Sequence, residues 1–190
     1  EVLMKKAAVI ALLLGLTSPH LVQAKEVAGV SLPDTATVEG KTLKLNGAGL
    51  RKKMMFKVYV AGLYLETPSK DAASVISSDQ VKRMQLSVLR SLSTAQINEA
   101  INEGFEKNSK AHMGALKPRL DRLNAMIPNV EKGDQILLTY VPGKGTVVSA
   151  KNAEKGVIEG KDFADALFAV WLGPSPVQED LKRSEERRVG

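Results

Sequence analysis

The feature that most constrains this chain is a pair of close glycines followed by a long alternating segment. Gly47 and Gly49 let the backbone adopt angles that a side chain would forbid, so we expect a glycine turn there. Residues 54–65 alternate with the period of a strand, and their odd positions carry the polar Lys57 and Tyr59. One face of this strand is therefore expected to join the core, and the other can serve a site. The even positions form the mostly apolar face: Met54, Phe56, Val58, Val60 and Tyr64.

Arg51 lies two residues after the second glycine of the pair, Gly49. Its guanidinium is permanently charged and presents a planar fork of donors that matches a carboxylate, a phenolate or an enolate. This arrangement predicts a cleft that holds an anion, and it leaves the identity of the ligand open. The alternative for Arg51 is a structural ion pair at the turn, and for Tyr59 it is a strand aromatic that only packs.

The rest of the chain predicts an antiparallel sheet covered by helices. Strands are expected over residues 27–32, 41–45 and 81–89, followed by a hairpin of residues 134–141 and 146–149. Helices are expected over residues 71–77, from the capping box of Ser93 and Gln96 to residue 108, over 113–127 with a kink or restart at Pro118, over 163–171, and from 175 onward. This order predicts a single α+β domain with helices packed on one face of an antiparallel sheet.

The N-terminal segment has the pattern of a secretory signal peptide. It starts with Met4 and two lysines at positions 5 and 6, continues with an apolar run over 7–16, and ends at the small residue Ala24. We expect cleavage after Ala24 and export to a bacterial periplasm or exterior. Residues 1–3 precede the first methionine and are expected not to be native. The alternative is a buried N-terminal helix.

Composition argues against several classes of function. The formal net charge is +6, but the basic residues are spread along the chain and aromatic residues make up only 4%, so nucleic-acid binding is not expected. The chain has no cysteine, and His112 is its only histidine outside the expected signal peptide, so we expect no metal site, no disulfide and no cofactor. No run reaches the roughly 18 apolar residues of a membrane span. The modest basic charge favours anionic ligands or an anionic membrane surface, with an ordinary solvated basic surface as the simpler alternative.

Three segments, taken together, resemble the chalcone isomerase-like family. They are Gly47-Ala48-Gly49 followed by Arg51, the aromatic-rich strand over residues 57–65, and Trp171-Leu172-Gly173 running into residues 180–182. The segments stand in the order of the family, and the resemblance spans residues 30–183, nearly the whole mature chain. It implies the open-faced β-sandwich of the chalcone isomerase fold.

The resemblance also implies which positions matter. Arg51 matches the cleft arginine with which the family's enzymes hold the substrate's developing oxyanion during ring closure. Tyr59 stands where those enzymes place a threonine, and Val170 and Trp171 stand where they present a threonine and a methionine. If the chain is an enzyme, Arg51 and Tyr59 are its expected catalytic residues. Losing groups that act in the transition state costs orders of magnitude in rate, so these departures argue against flavonoid cyclisation.

Binding without chemistry is therefore the leading hypothesis. Non-catalytic members of the wider family bind fatty acids, and an arginine with a tyrosine hydroxyl at the mouth of an apolar cleft suits a carboxylate head with a long tail. Adaptable methionines at positions 54, 55 and 84 are candidates for the pocket lining, or for ordinary core packing. The expected ligand-binding residues are Arg51, Tyr59, Met55, Val170 and Trp171. Two alternatives stay open: an isomerase (intramolecular lyase) acting on an unidentified conjugated substrate, and a scaffold that binds a partner protein.

The chain ends in a strongly charged run. Residues 185–190 are predicted to be an exposed, disordered and non-native tail, because their charge leaves little apolar area to offset the entropy of ordering. The expected divisions are thus residues 1–24 for the signal peptide with its leader, 25–184 for the chalcone isomerase-like domain, and 185–190 for the tail.

Overall fold

Short strands joined by tight turns come first along the chain, and most of the helices follow. The computed structural model describes residues 24–186, with only the backbone of 184–186. Its strands are β1 Ala24–Val27, β2 Val30–Pro33, β3 Thr35–Val38, β4 Lys41–Lys53, β5 Phe56–Leu65, β6 Lys82–Val88, β7 Gln135–Val141, β8 Gly145–Ala150 and β9 Ala153–Ile158. Its helices are α1 Ala72–Ser77, α2 Thr94–Ser109, α3 Met113–Met126, α4 Lys161–Leu172 and α5 Glu179–Glu186. The expected signal peptide before Ala24 and residues 187–190 of the expected tail lie outside the described residues.

The strands pair in the order in which they occur. Strands β3 to β9 form one seven-stranded antiparallel sheet, and β1 and β2 form a separate hairpin. The single strand expected over residues 27–32 is wrong, because Ala28 and Gly29 both take positive φ, 52° and 83°. Two consecutive residues of that kind make the tight turn that joins two hairpin strands.

The close glycines lie inside a strand. Strand β4 continues through Gly47 and Gly49, so the expected glycine turn is wrong. A Cβ added at Gly49 would lie 2.5 Å from the backbone nitrogen of Leu181 and 2.7 Å from its Cα, which means that glycine is required here because α5 crosses the strand closely. The turn between β4 and β5 comes later, at Met54 and Met55, and Met54 has a positive φ of 56°.

The helices cover one face of the sheet. Helices α2 and α4 cross closely at Gly104, where an added Cβ would lie 2.5 Å from Cγ1 of Val170. The core between helices and sheet includes Phe105 and Phe163, whose ring centroids are 5.5 Å apart. A smaller apolar cluster on Leu32 of the β1–β2 hairpin includes residues of β4 and β5. The sheet therefore has a thick helical layer on one side, and the site described below is built in that layer.

Local sequence signals account for much of this framework. The Ser93 hydroxyl accepts a hydrogen bond from the Gln96 amide, and the Gln96 side chain accepts one from the Ser93 amide, so the predicted capping box is present. Helix α3 runs through Pro118 as one assigned helix, without the restart that was one of the two expected outcomes. Strands β3 and β9 were not predicted. No described helix has both the length and the apolar character needed to cross a bilayer.

Candidate functional site

Arg51 and Tyr59 are direct partners across strands β4 and β5. Side chains of such partners share a face of the sheet and start about 5 Å apart. Tyr59 is buried, whereas Arg51 is half-buried. Among the described side chains, no carboxylate forms an ion pair with Arg51. Arg51 is therefore not part of a structural ion pair with these side chains, which was the alternative considered from the sequence.

A β-bulge next to this pair changes which residues of β5 face the helices. Arg51 pairs with Tyr59 and Lys52 pairs with Lys57, so Val58 is an extra residue in β5. A bulge of this kind lets two successive residues point to the same side. Val58 and Tyr59 accordingly both contribute to the main core. The single alternation expected along residues 54–65 is wrong, because the strand switches parity at Val58.

The hydroxyl of Tyr59 is held by Trp171. The indole Nε1–H of Trp171 donates to the Tyr59 oxygen over 3.0 Å. Burial raises the pKa of Tyr59, while the charge of Arg51 and the hydrogen bond from Trp171 oppose this rise. The phenol is therefore protonated at neutral pH. Because an indole can only donate, the Tyr59 hydroxyl keeps its own hydrogen for a further acceptor, and none is bonded to it among the described residues.

A cavity of about 240 Å³ lies against this pair, between the sheet and helices α2 and α4. Its walls are mainly apolar because α2 and α4 turn their hydrophobic stripes toward the sheet. The residues that give it this character are Val58, Leu86, Val88, Leu92, Ile97, Ile101, Ile136, Val170 and Val177. The cavity can therefore hold a hydrocarbon chain.

The cavity lining also contains exposed charged residues. Lys53 and Arg90 lie on the sheet side, and Arg90 stacks on the Phe56 ring with its guanidinium carbon 4.5 Å from the centroid. Glu99 and Glu103 line it from α2. The pKa of Glu103 is lowered chiefly by its hydrogen bond to a lysine one helical turn away, with the charges of Arg51 and Lys53 as lesser causes. Because Arg51 forms no ion pair with a described side chain, its positive charge stays available to an incoming anion.

The structure brings together four of the five side chains that the sequence predicted for ligand binding. Arg51, Tyr59, Val170 and Trp171 all line the cavity. Met55 does not: its side chain is 93% exposed at the turn between β4 and β5, because that turn carries it away from the sheet face. Of the other two candidate methionines, Met54 lines the cavity and Met84 is packed in the core.

Several residues that line the cavity were not predicted, although their spacing in the sequence places them on one face of a strand or helix. Leu86, Val88 and Arg90 follow one another with the period of a strand, so they share one face up to the cavity. Gln96 and Glu103 lie on the cavity side of α2 at helical spacing. Among the described residues, no group of histidine and carboxylate side chains is arranged to hold a metal ion.

Comparison with known proteins gives a family and a fold. The family model described as chalcone isomerase-like matches residues 24–184. No curated protein matches the chain. The chain resembles the crystal structure of a fatty-acid binding protein from Arabidopsis thaliana, with a TM-score of 0.66 and 15% sequence identity over 83% of this chain and 92% of that one. At this identity the likeness shows the fold, and it confirms the predicted antiparallel sheet with helices on one face.

Proposed function

The chain belongs to the chalcone isomerase-like family, and we propose that it binds a small amphipathic carboxylate of the fatty-acid kind without cyclising flavonoid precursors. The observation that carries this proposal is that Arg51 and Tyr59 stand side by side at an apolar cavity. A solved protein that shares its fold is a fatty-acid binding protein, which supports the same class of ligand.

The head group would be held by two donors. The Arg51 guanidinium has no carboxylate partner among the described side chains, so a ligand carboxylate would supply its counter-ion. The Tyr59 hydroxyl, held in place by Trp171, would donate a second hydrogen bond. A hydrogen bond that involves a charged group contributes about 1.5–3 kcal/mol, and the charged fork of Arg51 can donate two of them, so Arg51 should contribute more than Tyr59 to binding of the head group.

The tail would lie among the apolar walls. A volume of about 240 Å³ is slightly below the usual range for small-molecule sites, roughly 300–1,000 Å³. The cavity therefore favours acyl chains of short to medium length over long ones, unless the longer chain extends out of the mouth. Laurate should accordingly bind more tightly than both octanoate, which buries less chain, and palmitate, which overfills the cavity.

Cyclisation of a chalcone is not proposed because the site offers few groups for it. Val170 has no hydrogen-bonding side chain, and the Tyr59 oxygen already accepts from Trp171. Burial raises the pKa of Tyr59, so its phenolate is scarce at neutral pH and it makes a poor base. Arg51 and the Tyr59 hydroxyl could hold a developing oxyanion, but neither of these two donors can take up the substrate's proton.

Calorimetric titration of laurate into the wild type and two variants tests the proposal. Arg51→Ala should weaken binding about ten- to a hundredfold, and Tyr59→Phe should cost less. Arg122→Ala removes the same charge from an exposed position on α3. This variant is the matched control and should bind laurate as the wild type does. Equal affinity of the wild type, Arg51→Ala and Tyr59→Phe would contradict the carboxylate site.

Thermal melting separates binding from folding. Arg51 makes no ion pair with the described side chains, so Arg51→Ala should melt close to the wild-type temperature. A large drop in melting temperature with unchanged laurate affinity would instead assign Arg51 a structural role.

We also propose that the protein is exported in a bacterium. The support is the sequence pattern before Ala24, with its basic start and apolar run. Expression from Met4 should yield periplasmic protein whose first residue is Lys25, as read by N-terminal sequencing. Intact Met4 on cytoplasmic protein would contradict export.

A further inference from the structure

The turn between β4 and β5 exposes an apolar tip. Met54 is 89% exposed, Met55 is 93% exposed and Phe56 is 57% exposed, and among the described residues these three are the exposed large hydrophobic side chains. Side chains of this kind are normally buried, and a contiguous exposed group of them marks a surface that contacts something apolar. We call residues 54–56 the hairpin tip.

Basic residues surround the hairpin tip. Lys52 and Lys53 precede it, Lys57 follows it, and all three are exposed. None of them forms an ion pair with a described side chain. Arg90 adds a fourth exposed cation, stacked on Phe56. The tip is therefore an apolar centre surrounded by positive charges that form no ion pair with a described side chain.

Backbone geometry adds a second reason to regard the tip as functional. Met54 has a φ of 56°, a conformation that glycine, asparagine and aspartate adopt at far lower cost than methionine. An apolar side chain held in a strained and solvent-exposed position points to a role outside folding. The hairpin would be more stable alone with a polar turn residue there.

The residues around the hairpin tip indicate what kind of surface it binds. An apolar group flanked by lysine and arginine matches the boundary of an anionic phospholipid bilayer, where side chains enter the acyl region and cations meet the head groups. The same tip borders the cavity, because Lys53, Met54, Phe56 and Arg90 all line it. Glu99 and Glu103 on α2 would be repelled by such a surface, so the contact should be made by the hairpin with the α2 side turned away.

We propose that the hairpin tip docks on an anionic phospholipid surface. Met54, Met55 and Phe56 insert among the lipid head groups, and the surrounding cations bind the phosphates. The cavity then opens at the bilayer, from which an amphipathic carboxylate can enter directly. That entry route rests on the proposed function, whereas docking itself does not.

Vesicle flotation tests docking. The wild type should bind vesicles of phosphatidylcholine with 30% phosphatidylglycerol, and should bind pure phosphatidylcholine at least tenfold less. Lys52→Gln with Lys57→Gln should weaken binding about 25-fold, from about fivefold for each charge near the surface. Met55→Ser should weaken it about fivefold or more, because an exposed apolar side chain no longer enters the lipid. Both variants lie outside the cavity lining.

A matched pair of lysines controls for net charge. Lys44 and Lys70 are exposed at the opposite end of β4 and β5, so Lys44→Gln with Lys70→Gln removes the same charge away from the tip. That variant should bind vesicles within twofold of the wild type. All variants keep the same chain ends, so any binding by the apolar run of residues 7–16 is common to them.

Three results would overturn docking on anionic lipid. One is equal binding of neutral and anionic vesicles, and another is an equal loss in the tip and control lysine pairs. The third is a dimer in analytical ultracentrifugation that Met55→Ser dissociates while vesicle binding stays unchanged, which would make the tip an interface between two copies. Laurate titration without vesicles keeps the proposals apart. The tip variants should retain wild-type laurate affinity, and absent laurate binding with intact vesicle binding would refute only the proposed function.

Discussion

Lys82 at the start of β6 is a buried cation, and its removal should change how stability depends on pH. Its side chain is fully inaccessible to solvent, and its ammonium lies 3.6 Å from a carboxylate oxygen of Asp165. The ammonium also lies 5.4 Å from the ring centroid of Tyr140 and 5.1 Å from that of Phe168. It donates to three carbonyl oxygens at the end of α1: Val75 at 3.0 Å, Ile76 at 2.5 Å and Ser78 at 3.1 Å.

The change in the free energy of unfolding with pH follows from the pKa of Lys82 in the folded and in the unfolded chain. Its pKa falls from the ordinary 10.5 to about 8, chiefly because burial penalises the charged form, while Asp165 opposes the fall. Between those values the unfolded chain binds a proton that the folded protein has released, so the free energy of unfolding rises with pH. From pH 7 to pH 10 the rise due to Lys82 is about 2.5 kcal/mol.

Urea unfolding of the wild type and Lys82→Met at pH 7 and pH 10 measures this difference. At pH 7 the variant should be about 3 kcal/mol less stable, because carbonyls at the end of α1 lose their donor. At pH 10 the gap should widen by about 2.5 kcal/mol. Lys70→Met, which replaces an exposed lysine, should have the same free energy of unfolding as the wild type at both pH values. Parallel pH profiles for the wild type and Lys82→Met would refute the reasoning.

Further outcomes are expected at the close backbone crossing and in catalysis. Gly49→Ala should lower the free energy of unfolding by about 1–3 kcal/mol, because its Cβ would meet the backbone of Leu181. Gly114→Ala, where an added Cβ meets nothing within 4 Å, should instead raise it by about 0.5–1 kcal/mol in the same urea titration. Conversion of chalcones to flavanones, followed by absorbance, should match the uncatalysed rate, and turnover that Arg51→Ala abolishes would contradict this.

Elements with strong local signals could be predicted from the sequence. The capping box of Ser93 and Gln96 starts α2 because its two hydrogen bonds join residues three positions apart. The hairpin of β7 and β8 has its turn residues between two apolar runs, and the stripe of α4 repeats with the helical period. Arg51 and Tyr59 were also expected at one cleft, but through a glycine turn, whereas the structure brings them together as partners across β4 and β5.

Other features depended on contacts between distant parts of the chain. Gly49 was expected to make a turn, but it is a strand residue against which α5 packs, and nothing near position 49 indicates that crossing. The bulge at Val58 changes which residues of β5 point toward the helices. An alternating sequence pattern does not show at which position a strand contains one extra residue. Met55 lies in the turn between β4 and β5, so it is exposed at the tip and stays out of the cavity.

The sequence by itself determined most of the helices and strands and the two hydrogen-bond donors of the site, Arg51 and Tyr59. These follow from short-range periodicity and from side-chain chemistry. Only the tertiary structure decided which face those donors share, which apolar residues enclose them and which side chains stay exposed beside them. The physical reason is that a cavity is bounded by α2, α4 and the sheet together, and their separation is set by close crossings such as that of Gly104 with Val170.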